Sequence, residues 1–303
     1  MDGRRWWREW LGARTDATGG WELGASVPSS AVPGWRTEEV HLDSYGARLG
    51  ATVLRPDRPD AHEPVVVLPF YEVATLLGEP CARTAGRPHR AAQAYGLQLA
   101  AQGVSVLAVP WWFEQEAAAD ESTAGNRELG ARYGPAAERH GRRWPMTGLG
   151  RSLGDLLLAL DFLGEQSWVD PARIGVFGHS LGGKLALHLA ALDTRVVTGV
   201  AHEAGLGFAH SNWSDPWYLG EHVPDGRDQD EVLALVAPRR FLIAGGGDGD
   251  GPHNRDLVER ARRAWDDPHG LQLLHHDGGH PPPPHVRLAC MSWLAAGLDG
   301  AIR

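Results

Sequence analysis

Short, wholly apolar runs punctuate this chain at intervals: "PVVVLPF" from Pro64, "VSVLAVP" from Val104, "RIGVF" from Arg173, "VVTGVA" from Val196, "RFLIAG" from Arg240 and "LQLLHH" from Leu271. A run of this length with no polar alternation suits a strand covered on both faces, as in a parallel sheet. Between several of them the spacing turns helical, over 91–102, 149–166 and 254–265. Strands and helices in alternation predict crossover connections and a sheet covered by helices on both faces. Ahead of these units, "EEVHLDSYGARLGATVLRP" alternates apolar and polar positions about a Tyr-Gly pair, which predicts an antiparallel hairpin on one edge of that sheet.

Two segments break the rhythm: 111–146 with "PWWFEQEA" and 205–230 with "SNWSDPWYLG". Connections this long in a compact domain tend to be functional, so both are expected as lid-like insertions. Their tryptophans Trp111, Trp112, Trp213 and Trp217 are candidates for the substrate pocket. Residues 1–37 are expected to form a Trp-rich helix followed by a Gly/Ser/Pro-rich connector, and 38–303 a single α/β domain. Trp6, Trp7 and Trp10 fall on one face of that helix, and docking on the body is favoured over membrane contact.

The stretch "IGVFGHSLGGKLALHLAALD" places Ser180 between an apolar strand and an apolar helix, in a G-x-S-x-G pattern with Gly183 directly behind. A serine on so tight a turn is held at the carboxyl edge of the sheet, with glycines where no side chain fits and the helix N-terminus aimed at the site. A hydroxyl needs a base and an acid to become a nucleophile. The later strands offer both: Asp248 and Asp250 in "GGDGDG", and His280 in "DGGH". The order Ser, Asp, His predicts a serine nucleophile, a histidine base and an aspartate acid. The Leu181 N–H and an N–H of Tyr71 or Phe70 would hold the oxyanion.

These motifs resemble the α/β-hydrolase superfamily, and within it the dienelactone-hydrolase-like and acetyl-esterase-like group. The resemblance rests on "DPARIGVFGHSLGGKLALHLAALDTRV", "APRRFLIAGGGDGDG", "HHDGGHPPP" and "SNWSDPWYLG", and covers residues 60–298. It implies an α/β-hydrolase fold and cofactor-free hydrolysis of a small or medium carboxylic ester, acetyl ester or lactone. It carries the nucleophile onto Ser180 and the base onto His280. The acid stays open between Asp248, which strand-end spacing favours, Asp250, and Glu203 in "GVAHEAG", because some relatives carry theirs after the preceding strand. "LPFYE" stands where relatives often have a His-Gly pair.

A serine peptidase of the prolyl-oligopeptidase type and an acyltransferase use the same catalytic domain, the former weakened by the absence of a propeller-sized region ahead of the strands. A hydrolase-like binding protein without chemistry is the non-enzyme alternative. His179 and Lys184 flank the nucleophile and are read as positional. The histidines around His275 to His285 match no helical zinc pattern, so no metal and no cofactor is expected. A formal net charge of -9 argues against a nucleic-acid partner. The partner expected is a small-molecule ester. With Cys81 and Cys290 as the two cysteines, no export signal and no membrane span, the expected location is the cytoplasm.

Overall fold

The computed structural model describes residues 3–13, 18–58, 62–87, 92–247 and 249–300. A short helix α1 (Gly3–Leu11) precedes strands β1 (Thr18–Pro28), β2 (Trp35–Ser44), β3 (Ala47–Pro56) and β4 (Glu63–Phe70). Helices α2 (Val73–Leu76) and α3 (Tyr95–Ala100) lead to β5 (Ser105–Pro110). After them come α4 (Trp112–Ala119), α5 (Leu129–Arg143), α6 (Gly148–Gly164), β6 (Val169–His179), α7 (Leu181–Leu192) and β7 (Val196–His202). The chain closes with α8 (Gln229–Ala234), β8 (Arg240–Gly245), α9 (Arg255–Arg262), β9 (Leu271–His275) and α10 (Pro284–Leu298).

Nine strands form one sheet in the order β1-β2-β3-β5-β4-β6-β7-β8-β9. The first three pair antiparallel and β3 joins β5 antiparallel; from β5 to β9 every pairing is parallel. The hairpin turns at Tyr45 and Gly46, both in the left-handed region (φ 49 and 73), as a two-residue turn matching strand twist requires. Every residue of β4 is buried, the physical reason its run carries no polar alternation. Helix α7 is buried along its whole length, so its apolar residues cover all faces rather than one stripe.

Residues 18–28, expected as connector, instead add the edge strand β1 to the hairpin. Trp21 there packs edge-on against Phe162 of α6 at 6.0 Å, burial enough to recruit a Gly-rich segment that local propensity leaves undecided. The N-terminal helix docks on the body: Trp7 and Leu11 are fully buried, Trp6 stacks on Trp10, and the Arg4 side chain donates to the carbonyls of Ala191 and Leu235. Among the described residues no helix is long and apolar enough to cross a membrane.

Candidate active site

Ser180 stands between β6 and α7 with φ 59 and ψ -121, a conformation that costs energy for any residue with a Cβ and that clusters at functional sites. The glycines around it are sterically required. A Cβ on Gly178 would lie 1.8 Å from the Gly182 carbonyl oxygen, and one on Gly182 would lie 2.2 Å from that of Pro69. The second clash places the turn against the end of β4, next to Phe70 and Tyr71. Gly183 and Lys184 N–H groups both donate to the Ser180 carbonyl. The N–H groups of Leu181 and Gly182 belong to the first turn, which has no intrahelical acceptors for them.

Ser180 lies at the junction of two cavities of about 270 Å³ each. Tyr71, Leu129, Tyr133, Ser180 and His280 line both. The first adds Lys184, Ser211, Asn212, Trp217 and Tyr218, and the second Phe70, Arg83, Gln93 and His179. The insertion 111–146 thus contributes Leu129 and Tyr133 of α5 to the wall, and 205–230 contributes Trp217, whose ring meets that of Tyr133 at 5.5 Å.

Of the four candidate tryptophans, Trp217 lines the first cavity. The other three pack the walls behind it. Trp111 donates its indole N–H to Ser152 Oγ, Trp112 lies under the Arg151 guanidinium, and Trp213 donates to the Gly205 carbonyl.

Among the described residues, the carboxylate facing His280 is that of Glu203, the third of the acid candidates. Its Oε2 lies 3.6 Å from His280 Nδ1, within ion-pair reach, and such contacts tighten when substrate binds. Glu203 is itself in the left-handed region, φ 52, and buried. Its Oε1 accepts the Gly246 and Gly247 N–H groups at 2.5 Å each, and its Oε2 accepts that of Asp250 at 3.3 Å. Burial pulls its proton affinity up, but the bond to His280 and the two glycine N–H groups outweigh it and hold the carboxyl below its ordinary range. It is therefore ionised at neutral pH.

Asp250 is buried and turned elsewhere. Its carboxylate accepts from Gly205 N (3.1 Å), Leu206 N (2.8 Å) and Asn254 Nδ2 (2.7 Å), so it pins the backbone just beyond Glu203 rather than reaching His280. Burial pushes its proton affinity up. Asp248 lies outside the described residues.

The two flanking residues read as positional both sit in buried polar surroundings. Lys184 is buried in the cavity wall, donates to Ser211 Oγ at 2.7 Å and sits 3.8 Å from the Trp213 ring centre. Burial lowers its pKa to about 7 against the pull of Asp250 and Asp215. The signal was present in the sequence, since Lys184 is the chain's single lysine and lies in an apolar helix. His179 bonds through Nδ1 to His202 Nδ1 at 2.9 Å, and His202 Nε2 bonds to His276 Nε2 at 2.9 Å.

His202, Glu203 and His276 present donor atoms within 4.8 Å of one another, the spacing of a metal centre. Their geometry suits one poorly. The His202 and His276 rings are 9° from coplanar with centres 5.2 Å apart, so the two nitrogens point straight at each other along a hydrogen bond, leaving no shared lone-pair focus for a tetrahedral ion.

A family model described as "Prolyl oligopeptidase family" matches residues 139–233. A hydrolase named YtaP from Bacillus subtilis (strain 168) is 28% identical over 154 residues, 48% of this chain and 46% of that protein. The chain therefore matches under half the length of that relative. Among solved structures, a CE15 glucuronoyl esterase from Teredinibacter turnerae T7901 superposes with a TM-score of 0.66 at 18% identity, covering 93% of this chain and 79% of the other. Methylesterase BT1017 gives 0.72 at 18% identity, covering 98% and 63%. Acetyl Xylan Esterase 1 from Thermoanaerobacterium sp. JW/SL YS485 gives 0.60 at 16%, covering 98% and 94%. The chain has the α/β-hydrolase fold that these esterases share.

Proposed function

We propose that the protein is a serine hydrolase of carboxylic esters in which Ser180 is the nucleophile, His280 the base and Glu203 the acid. The observation that carries this reading is a strained serine at a cavity lined also by His280, with that imidazole backed by a buried, ionised carboxylate. His280 takes the Ser180 hydroxyl proton as Oγ attacks the ester carbonyl, and returns it to the departing alcohol. Glu203 holds the imidazole through Nδ1 and stabilises its charged form. The Leu181 N–H at the start of α7, with the backbone N–H of Tyr71 just past β4, suits the oxyanion. Water then attacks the acyl-enzyme with His280 as base again, releasing the acid.

The names of the matched structures, glucuronoyl, methyl and acetyl xylan esterases, make a carbohydrate ester the leading substrate class. The first cavity agrees in chemistry, offering Lys184, Ser211 and Asn212 as partners for hydroxyl or carboxyl groups. The test is hydrolysis of p-nitrophenyl acetate and butyrate and of methyl and acetyl sugar esters, beside Ser180→Ala. Turnover that vanishes in the variant supports the reading; equal turnover in both refutes it. The match to the prolyl oligopeptidase model over 139–233 favours a second reading as a peptidase, which cleavage of proline-containing peptide amides in preference to esters would support.

A further inference from the structure

Three histidines stand in line across the carboxyl edge of the sheet: His179 at the end of β6, His202 at the end of β7, and His276 just past β9. To join His202, His276 must cross the end of β8, and the chain makes room there with Gly246, where a Cβ would lie 1.9 Å from the His276 carbonyl oxygen and 2.4 Å from its Nδ1. The His202–His276 centre separation of 5.2 Å is the 2.9 Å N···N distance plus the two ring radii, with planes 9° apart. The rings therefore meet end to end, as a hydrogen bond with one shared proton demands.

The direction of that chain follows from one donor. The Gly278 N–H donates to His276 Nδ1 at 3.1 Å, and a backbone N–H can only donate. His276 Nδ1 is thus bare and the proton of the neutral ring sits on Nε2. His202 Nε2 must accept that proton's bond, so His202 carries its own proton on Nδ1 and donates to His179 Nδ1. Burial favours the neutral form of all three rings.

We propose that His276 is a positioning residue for His280: it anchors the turn that carries the base, and the chain through His202 to His179 holds His276 in the one tautomer able to do so. Gly278 is two residues from His280, and Gly279 between them takes φ 69, so the Gly278 bond is one restraint on the turn that carries the base. The far end of the chain touches the same base, since the His179 and His280 ring centres are 4.9 Å apart. The inference rests on the reading of His280 as base.

A proton arriving at His276 Nδ1 would remove the acceptor for Gly278. The groups facing it are Glu203 and Asp277, whose charges favour that proton, His285 and His275, which oppose it, and His202 at the other nitrogen. Loss of activity in acid should therefore involve His276.

The experiment is the rate at which a fluorophosphonate labels Ser180 between pH 5 and 8, in the wild type, His276→Ala and His276→Asn, with Ser180→Ala as blank. Asparagine can accept the N–H two residues on through its amide oxygen, as in an Asx turn, but does not titrate. His276→Ala should label at least tenfold more slowly at pH 8, and His276→Asn should recover most of that loss. The acid limb should be steeper than one proton in the wild type and a single-proton curve in His276→Asn.

Wild-type labelling rates in His276→Ala, or identical acid limbs in wild type and His276→Asn, overturn the inference alone. A wild type that does not label removes the reading of the site as well. Should the alanine variant not fold, imidazole ¹⁵N spectra of the wild type decide. Bare Nδ1 in His276 and His179 with bare Nε2 in His202 is the expected result, and any other assignment overturns the inference.

Discussion

At the scale of the residue, Glu203 and Asp250 are two buried carboxylates turned to different partners. Glu203 points at His280, while Asp250 holds the backbone of Gly205 and Leu206 that follows it. Substitution should separate the roles. Glu203→Gln keeps shape but cannot stabilise the imidazolium, so kcat should fall about 10²- to 10⁴-fold, and with three backbone donors to its carboxylate the change should also cost about 1–3 kcal/mol in urea unfolding. Asp250→Asn removes charge from a buried carboxylate with three donors, so it should cost about 1–3 kcal/mol in urea unfolding and less than tenfold in kcat. Reversed outcomes would assign the acid to Asp250. Asp248→Asn belongs in the same assay, and an activity loss matching Glu203→Gln would move the acid there.

At the scale of the element, the serine turn depends on how closely α7 approaches β4. A methyl on Gly182 meets the carbonyl oxygen of Pro69 at 2.2 Å, a backbone atom that cannot rotate aside. Gly182→Ala should therefore destabilise the fold by about 1–3 kcal/mol, as overpacking does, and reduce turnover further by displacing the Leu181 N–H. A variant as stable and as active as the wild type would show that the turn is looser than described.

Element legibility was uneven for a physical reason. The wholly apolar runs became β4 to β9; the inner strands need no alternation because both faces are covered, while β9 at the edge is mostly half-buried. The strand β1 has Leu23 and Val27 more than half exposed, so little burial marks it, and its pairing to β2 supplies what its composition does not.

At the scale of the whole molecule, burial of titratable groups sets how stability responds to pH. His140 and His188 are shifted down to about 4 and His202 to about 3, in each case chiefly by desolvation, and His179 is also well below its ordinary value. These bases take up protons more readily in the unfolded chain. Stability is therefore present above about pH 6.5 and is lost as pH falls from there toward 4, by roughly 1 kcal/mol per pH unit for each fully buried histidine. Lys184 acts in the same sense in a higher window: with a folded pKa of about 7 against an ordinary 10.5, it adds stability as pH rises between those values. Urea midpoints at pH 4.5, 6.5 and 8.5 should rise in that order, and a midpoint highest at pH 4.5 would contradict the buried, neutral state of these side chains.

The sequence by itself determined the parallel sheet and its hairpin, because side-chain periodicity reports which faces are covered. It also marked the serine turn through the G-x-S-x-G pattern, in which Gly178 is demanded by Gly182 four residues away while Gly182 answers to the Pro69 carbonyl of β4. Tertiary structure alone decided that Glu203 rather than Asp250 faces His280, since the two follow adjacent strands and one-dimensional spacing cannot rank them. It also decided that one candidate tryptophan of four faces the cavity, and that three histidines from three strands stand in line. Those outcomes depend on the register of strands far apart in the chain, and that register is set by packing of the whole core rather than by any local pattern.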